Sequence, residues 1–334
     1  MQKEKNKIAI IGAGISGLTC AHYLKDFADI TIFEKSNGLG GRMATRRSDP
    51  FSFDHGTQYF RAQTKAFQLF IKPLLNNKII APWNIRFAEF KKYSCIKKYN
   101  MNLADGYYVG IPGMNAVGKY LAKGLDIRQA KHITSINSHK NIWYLETKNG
   151  ERFGKFNWVI ITTPAPQTLA LVPKKFEFCN TIKENSMNSC ISLMLGFDKQ
   201  LDLNFDCAKI IDSDIQLISV NNNKPKRKNY CSLVVQSTHN WANQYMDDNQ
   251  NYILNHLCQE TSQTLKKDMS TASHKNIHIW RYSSGEIKKE PSILVDKSSK
   301  LAVCGDWCMG EFVESAFISA LKTSSSIKSL ISNE

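Results

Sequence analysis

Apolar residues in this chain fall into short β-branched runs and into stretches spaced for helices. Ile8, Ile10 and Ile11 form one run, Leu18, Ala21 and Leu24 then recur at helical spacing, and residues 30–33 form a second β-rich run. The pattern predicts strand, helix, strand over the first third of a hundred residues. Near the other end, residues 301–304 read as a strand. Val313, Ala316, Phe317, Ala320 and Leu321 read as the inner face of a helix beginning near 312–314. Between them the chain predicts a helix over 116–123 and then a meander. Its strands run over 127–136, 142–147 and 153–163, with a turn at Asn149-Gly150. His278, Trp280 and Tyr282 alternate, so in a strand they share one face. That face either lines a cavity as a polar-tipped aromatic wall or packs in a core. There are no internal repeats, and no apolar run reaches membrane-spanning length.

The joint between the first strand and helix carries chemistry. It reads Gly12-x-Gly14-x-x-Gly17, and the second strand ends at an acid, Glu34. Gly12 permits a tight turn, Gly14 lets a pyrophosphate approach the backbone, and Gly17 lets helix and strand pack closely. Helix-start N–H groups at Ile15 and Ser16, with the positive end of the dipole, suit phosphates, and Glu34 suits a ribose diol. This is the order a dinucleotide-binding unit requires. Four residues after Glu34 comes a second cluster, Gly38-Leu39-Gly40-Gly41-Arg42-Met43, with Lys35 between the two. An NAD site does not need it. It fits a second loop folded on the same pyrophosphate, with Arg42 as a fixed cationic donor.

Here the chain resembles the FAD-containing amine-oxidase superfamily, whose members carry GG-R after the ribose acid. The Gly305-Asp306 segment resembles the one that closes the FAD site in that family. The resemblance implies Asp306 on a ribityl hydroxyl and the helix start at Val313 facing the electron-rich edge of the flavin. It also implies adenine contact through the backbone at Ile133. A narrower resemblance, to bacterial relatives of renalase, rests on several segments. They are Phe53-Asp54-His55-Gly56-Thr57-Gln58-Tyr59-Phe60, Pro112-Gly113-Met114, Thr162-Thr163-Pro164-Ala165-Pro166-Gln167, His278-Ile279-Trp280-Arg281-Tyr282, and Gly305-Asp306-Trp307 with Val313-Glu314. The resemblance runs over about 7–330. It implies an α/β fold: a Rossmann-type FAD-binding domain of the p-hydroxybenzoate-hydroxylase-like kind, with an inserted α+β substrate domain. The expected division gives 1–60, 111–165 and 283–334 to the FAD domain, and 61–110 and 166–282 to the substrate domain.

Composition narrows the alternatives. With 334 residues, 42% hydrophobic and 22% charged, the chain can bury a core in one or two domains. Nine cysteines, irregularly spaced, do not make a disulfide framework. Cys304 and Cys308 are not a redox CxxC; they read as a buried strand residue and a loop residue. A covalent flavin link at Cys308 is not expected. A cleaved signal peptide would remove the cofactor strand, so a cytoplasmic location is expected. The net charge of +15 is scattered. The one tight cluster, Lys224-Pro225-Lys226-Arg227-Lys228, reads as a solvated loop tip, so no nucleic-acid partner is expected. The charge suits phosphate-bearing small substrates. No metal-ligand spacing occurs.

In flavoenzymes the ring carries the chemistry, and the protein orients and tunes it. The residues expected near a non-covalent FAD are Arg42, Gln58, Tyr59, Trp280, Tyr282 and Trp307, with His278 as a candidate base. Tyr59, His278, Trp280 and Tyr282 form the candidate catalytic set. The renalase resemblance implies hydride transfer from dihydronicotinamide isomers of NAD(P) to FAD, then electrons to O2, giving hydrogen peroxide. The competing readings are a strict amine oxidase, for which no flavin-site lysine is identifiable, and a flavin-binding protein without turnover.

Overall fold

The computed structural model describes residues 5–102, 106–285 and 293–333. The chain divides into two compact units. One gathers the chain up to Gly41, Gly118–Met187 and the part from Ser284 on; the other gathers Arg42–Val117 and Asn188–Ser283.

The first unit is built on a six-stranded sheet. Its order is Asp126–Arg128, Ala28–Phe33, Asn6–Ile11, Trp158–Ile161, Leu301–Val303, Leu294–Asp296. Neighbours are parallel except the last pair. Such a sheet is covered on both faces, which explains why its strands read as nearly unbroken apolar runs. On one face lie helix Ile15–Leu24 and the long helix Val313–Ser332, joined where Ser16 Oγ donates to the Ala316 carbonyl at 3.0 Å. On the other face, Ala9, Ile11, Val159 and Ile161 meet Trp143 and Leu145 of an antiparallel three-stranded sheet. That sheet is Ile133–His139, Ile142–Thr147 and Arg152–Phe156. The predicted meander is thus split. Its first part, Asp126–Arg128, joins the parallel sheet beside Ala28–Phe33, and its last part, Trp158–Ile161, joins it beside Asn6–Ile11.

The second unit has a seven-stranded sheet. Its order is His274–Gly285, Met187–Phe197, Cys231–Ser237, Ile215–Val220, Cys207–Ile211, Ile85–Lys91, Ser94–Met101. Helices His239–Tyr245 and Gln250–Leu265, capped by Thr238 and Asn249, cover one face, with Ile253 and Leu257 against Leu193, Leu195 and Val235. The opposite face receives the hairpin Arg46–Ser48/Phe51–Phe53, where Phe51 and Phe53 pack on Met194 and Val234. At Gly196 a Cβ would lie 2.7 Å from the Phe51 ring, so only glycine lets the hairpin lie flat there. A smaller sheet, Phe60–Arg61, Tyr107–Gly110 and Ile80–Pro82, adjoins helix Lys65–Asn76.

These units divide elsewhere than at the expected boundaries. Residues 42–60 pack with the second unit, because Phe51 and Phe53 bury on its sheet and Asp54 is held by Lys224 and Arg227. Residues 111–117 follow them, through Met114 N donating to Asp54. Residues 166–187 stay with the first unit, since Val172, Phe176 and Ile182 enter its core. No helix among the described residues is long and apolar enough to cross a membrane.

Candidate functional site

The first unit presents a phosphate cradle. Strand Asn6–Ile11 stops at Gly12, whose φ of +109° would strain any other residue, and whose added Cβ would lie 2.6 Å from Thr162 Oγ1. At Gly17 a Cβ would fall 2.0 Å from the Gly12 carbonyl, so the helix crosses the turn only there. Gly14, the N-cap of helix Ile15–Leu24, is different: a Cβ would meet nothing within 4 Å. That open space, faced by the first-turn N–H groups, fits a pyrophosphate. Ile15 and Ser16 are buried, and the Ser16 hydroxyl is used on the long helix.

The second glycine cluster folds onto the first. Gly40 N donates to the Ala13 carbonyl at 3.0 Å, and at Gly41 (φ +58°) a Cβ would lie 3.2 Å from Gly14 Cα. Gly118, in the short helix Asn115–Leu121, holds this loop from behind: its Cβ would sit 2.5 Å from Gly40 Cα. Sequence reading did not single out Gly118, because a glycine inside a helix carries no local signal of what it abuts. Glu34 is buried at the end of its strand; Oε2 accepts from Ala13 N at 2.8 Å and Oε1 from Ser36 N and Oγ. The carboxylate is thereby fixed, with lone pairs to spare for a diol. Lys35 next to it is exposed. Ile133 pairs with Thr147 and buries its side chain in the core.

Asp306 is buried in a single turn, Asp306–Cys308, between strand Leu301–Val303 and helix Val313–Ser332. Trp307 is pinned by Nε1 on the Thr163 carbonyl at 3.1 Å. The turn is not solvated: Cys308 is buried, and burial pushes its thiol up to about 12, which makes it a poor nucleophile. Cys304 lies with Sγ 3.6 Å from Cys20 Sγ across the helix–sheet contact.

In the second unit, Arg42 donates through Nη1 to the Ser283 carbonyl at 2.6 Å, and Met43 is buried. At Gly56 a Cβ would lie 1.9 Å from the Arg42 carbonyl, which ties this stretch to the Asp54–Tyr59 segment. That segment meets the His278–Tyr282 segment from far away in sequence. Trp280 Nε1 donates to the His55 carbonyl at 2.8 Å, and the Trp280 and His55 rings stack with centroids 5.3 Å apart. His278 stands edge-on to both. Burial first, then the Arg46 charge, lowers His278 to about 4; burial first, then His278 and Arg46, lowers His55 to about 4. Both are neutral near pH 7, and His278 Nδ1 accepts from Arg46 Nη2 at 3.4 Å, which leaves the ring proton on Nε2. Tyr282 is half-buried on the same strand.

Tyr59 stands among rings, 5.3 Å from Tyr107 edge-on and 6.1 Å from Trp83. Burial pushes its phenol well above the ordinary range, so it stays protonated. Gln58 is buried and turns inward rather than outward: Nε2 donates to the Asp54 and Gly56 carbonyls, and Oε1 accepts from Lys224.

The basic cluster is a correction. Lys226 and Lys228 are exposed, but the Lys224 side chain is fully buried and Arg227 nearly so, both on Asp54. Asp54 also accepts from Thr45 Oγ1 and Met114 N. Burial alone would raise the Asp54 carboxyl, but the two cations outweigh it and hold it below its ordinary value. No group of three or more His, Cys, Asp or Glu side chains among the described residues is arranged to hold a metal.

A dinucleotide cradle on a parallel sheet, with a second glycine loop folded onto it, is the construction of a Rossmann-type flavin-binding protein. Comparison with known proteins gives the family. A model of flavin-containing amine oxidoreductases matches residues 87–328, and one of NAD(P)-binding Rossmann-like domains matches residues 10–72. The chain belongs to the flavin-containing amine oxidoreductases, a class of FAD-dependent oxidoreductases. Its cofactor is FAD, and the cradle at Gly12, Gly14, Gly17, Glu34 and Gly41 fits it. A 4,4'-diapophytoene desaturase of Staphylococcus aureus is 49% identical over 51 residues, 15% of this chain and 10% of that protein. The match thus spans about a tenth of the curated relative's length. Among solved structures, a putative protoporphyrinogen oxidase from Exiguobacterium sp. is similar with a TM-score of 0.75 at 12% identity, covering 97% of this chain and 98% of the other. A wild-type putrescine oxidase bound to putrescine is similar with a TM-score of 0.72 at 11% identity, covering 97% and 99%. These likenesses establish the fold.

Proposed function

We propose that the protein is a renalase-like FAD-dependent oxidase acting on a small reduced substrate, a dihydronicotinamide isomer of NAD(P). One observation carries the reading. Two of the segments on which the narrower resemblance rests lie 225 residues apart at their joint, yet Trp280 is bonded to and stacked on His55. That contact supports reading the two segments as parts of one site.

The residues divide the work. Gly12, Gly14, Gly17, Gly40 and Gly41 admit the pyrophosphate, Glu34 and Asp306 take the sugar and ribityl hydroxyls, and the Val313 helix start favours negative charge on the ring. Non-covalent FAD held by these residues would supply the two-electron chemistry, as acceptor of the substrate's hydride and, with a solvent proton, as reductant of O2 to hydrogen peroxide. Tyr59, Trp280 and Tyr282 orient a planar substrate ring through their faces and edges. His278, neutral with Nδ1 accepting from Arg46, carries its proton on Nε2 and can donate a hydrogen bond to the substrate. The surplus of positive charge draws in a phosphate-bearing substrate. The first unit serves as the FAD domain and the second as the substrate domain.

A strict amine oxidase is the second reading, favoured by the family and by a buried lysine, Lys224. Anaerobic mixing of the yellow protein with dihydronicotinamide isomers, with ordinary NADH and with amines separates the two. Bleaching of the flavin by the isomers alone, reversed by air with peroxide formed, is the expected result. Bleaching by amines alone overturns it in favour of the second reading. A flavin that neither class bleaches points to a role without turnover.

A further inference from the structure

The loop after strand Ile215–Val220 turns Asn221, Lys224 and Arg227 inward. The Lys224 ammonium has three protons and three acceptors: Asp54 Oδ2 at 3.3 Å, Gln58 Oε1 at 3.0 Å and Asn221 Oδ1 at 3.1 Å. With Oε1 so held, Gln58 has one orientation left. Its Nε2 donates to the Asp54 carbonyl at 2.5 Å and the Gly56 carbonyl at 3.0 Å, closing the turn that delivers Tyr59. Arg227 braces the same assembly, with Nη2 on Asp54 at 2.5 Å and Nη1 on the Gly110 carbonyl at 2.8 Å.

We propose that Lys224 is a positioning residue acting through Gln58: its ammonium holds residues 56–59 in the form in which Tyr59 meets substrate, and loss of its proton loosens that turn and weakens substrate binding. The proposal rests on the reading of Tyr59 as a substrate-contacting residue. Asp54 and Asn221 each accept from a second donor, Arg227 Nη2 and Asp54 N, so among the three acceptors Gln58 Oε1 depends on Lys224 alone. A neutral amine lacks the charge that strengthens these bonds and holds Gln58 more weakly. The charged and titratable groups facing Lys224 are Asp54, Arg227 and the Cys207 thiol, with the Trp83 ring 5.8 Å away. Burial lowers Lys224 most; Asp54 opposes this and Arg227 adds to it, leaving Lys224 at about 8. The switch therefore falls just above neutrality.

The test follows two quantities in the FAD-loaded protein from pH 6.5 to 9.5, a range on the order of that spanned by such a shift. One is amide hydrogen exchange of the peptide spanning 56–60, corrected for intrinsic pH dependence. The other is the substrate concentration needed for half-maximal anaerobic flavin reduction. Exchange and half-saturation should each rise about ten-fold through a common midpoint. Asn221→Asp, which adds a carboxylate beside the ammonium and leaves Gln58 intact, should move both midpoints up by about one unit. Gln58→Met should remove the step from both, with weak binding throughout. Exchange that does not change with pH, or a step that survives in Gln58→Met, overturns the proposal. If Asn221→Asp does not retain FAD, Gln58→Met decides alone. If no substrate reduces the flavin, the functional reading fails, and hydrogen exchange still decides whether Lys224 sets the turn.

Discussion

Single residues carry three measurable consequences. Asp306 is buried beside the start of the long helix, and its replacement by Ala should weaken FAD retention about ten-fold or more, as expected for a lost bond to a charged acceptor. A variant that purifies with full flavin counts against the assignment. Trp280→Ala removes both a hydrogen bond and a stacked ring from His55; stability to urea should fall by about 3 kcal/mol, and flavin reduction should slow while FAD stays bound. Unchanged reduction kinetics would make the ring simply part of a core. His55 sets a pH dependence. Folded, it titrates at about 4 against 6.5 when free. The unfolded chain therefore binds the extra proton between those values, and stability is lost as pH falls from 6.5 toward 4, by about 3 kcal/mol. His55→Phe should show a smaller drop in urea midpoint between pH 7 and pH 4.5, and an equal drop in both proteins would remove His55 as the cause.

At the scale of elements, what could be read in advance was whatever is local. The turn Gly12–Gly17, the acid closing the second strand and the start of the helix at Val313 each lie within one strand–helix joint, so spacing alone places them. The second glycine loop was readable for the same reason. What holds that loop was not: Gly118 meets Gly40 from another part of the chain. Gly118→Ala should therefore push the Gly40–Gly41 turn off Gly14 and raise the FAD dissociation constant by about ten-fold or more, while the helix itself gains in propensity. Equilibrium dialysis against FAD would read this directly, and wild-type affinity would mean the loop gives way at no cost. Lys224 was misread for a related reason. A run of basic residues in sequence resembles a solvated tip, and nothing within five residues announces an acid 170 positions away.

On the scale of the whole molecule, the buried ions tie distant stretches of the second unit together. Asp54, Lys224 and Arg227 form a balanced set only while all are present, so Asp54→Ala leaves two cations buried without their counter-charge. A loss of about 3–5 kcal/mol is expected, visible as a lower midpoint in chemical denaturation. Little or no loss would mean that water reaches the pair. The connectivity of the first unit has another consequence, for the order of events at the ribosome. Strand Trp158–Ile161 is buried at every position, and one of its two neighbours, Leu301–Val303, is synthesised only after the entire second unit has emerged. Until then an apolar strand has an unpaired edge, open to any other extended chain. Expression of a chain stopped before Leu301 should give insoluble protein whatever the supply of flavin, and the intact chain should depend on chaperones that shield that edge through the delay.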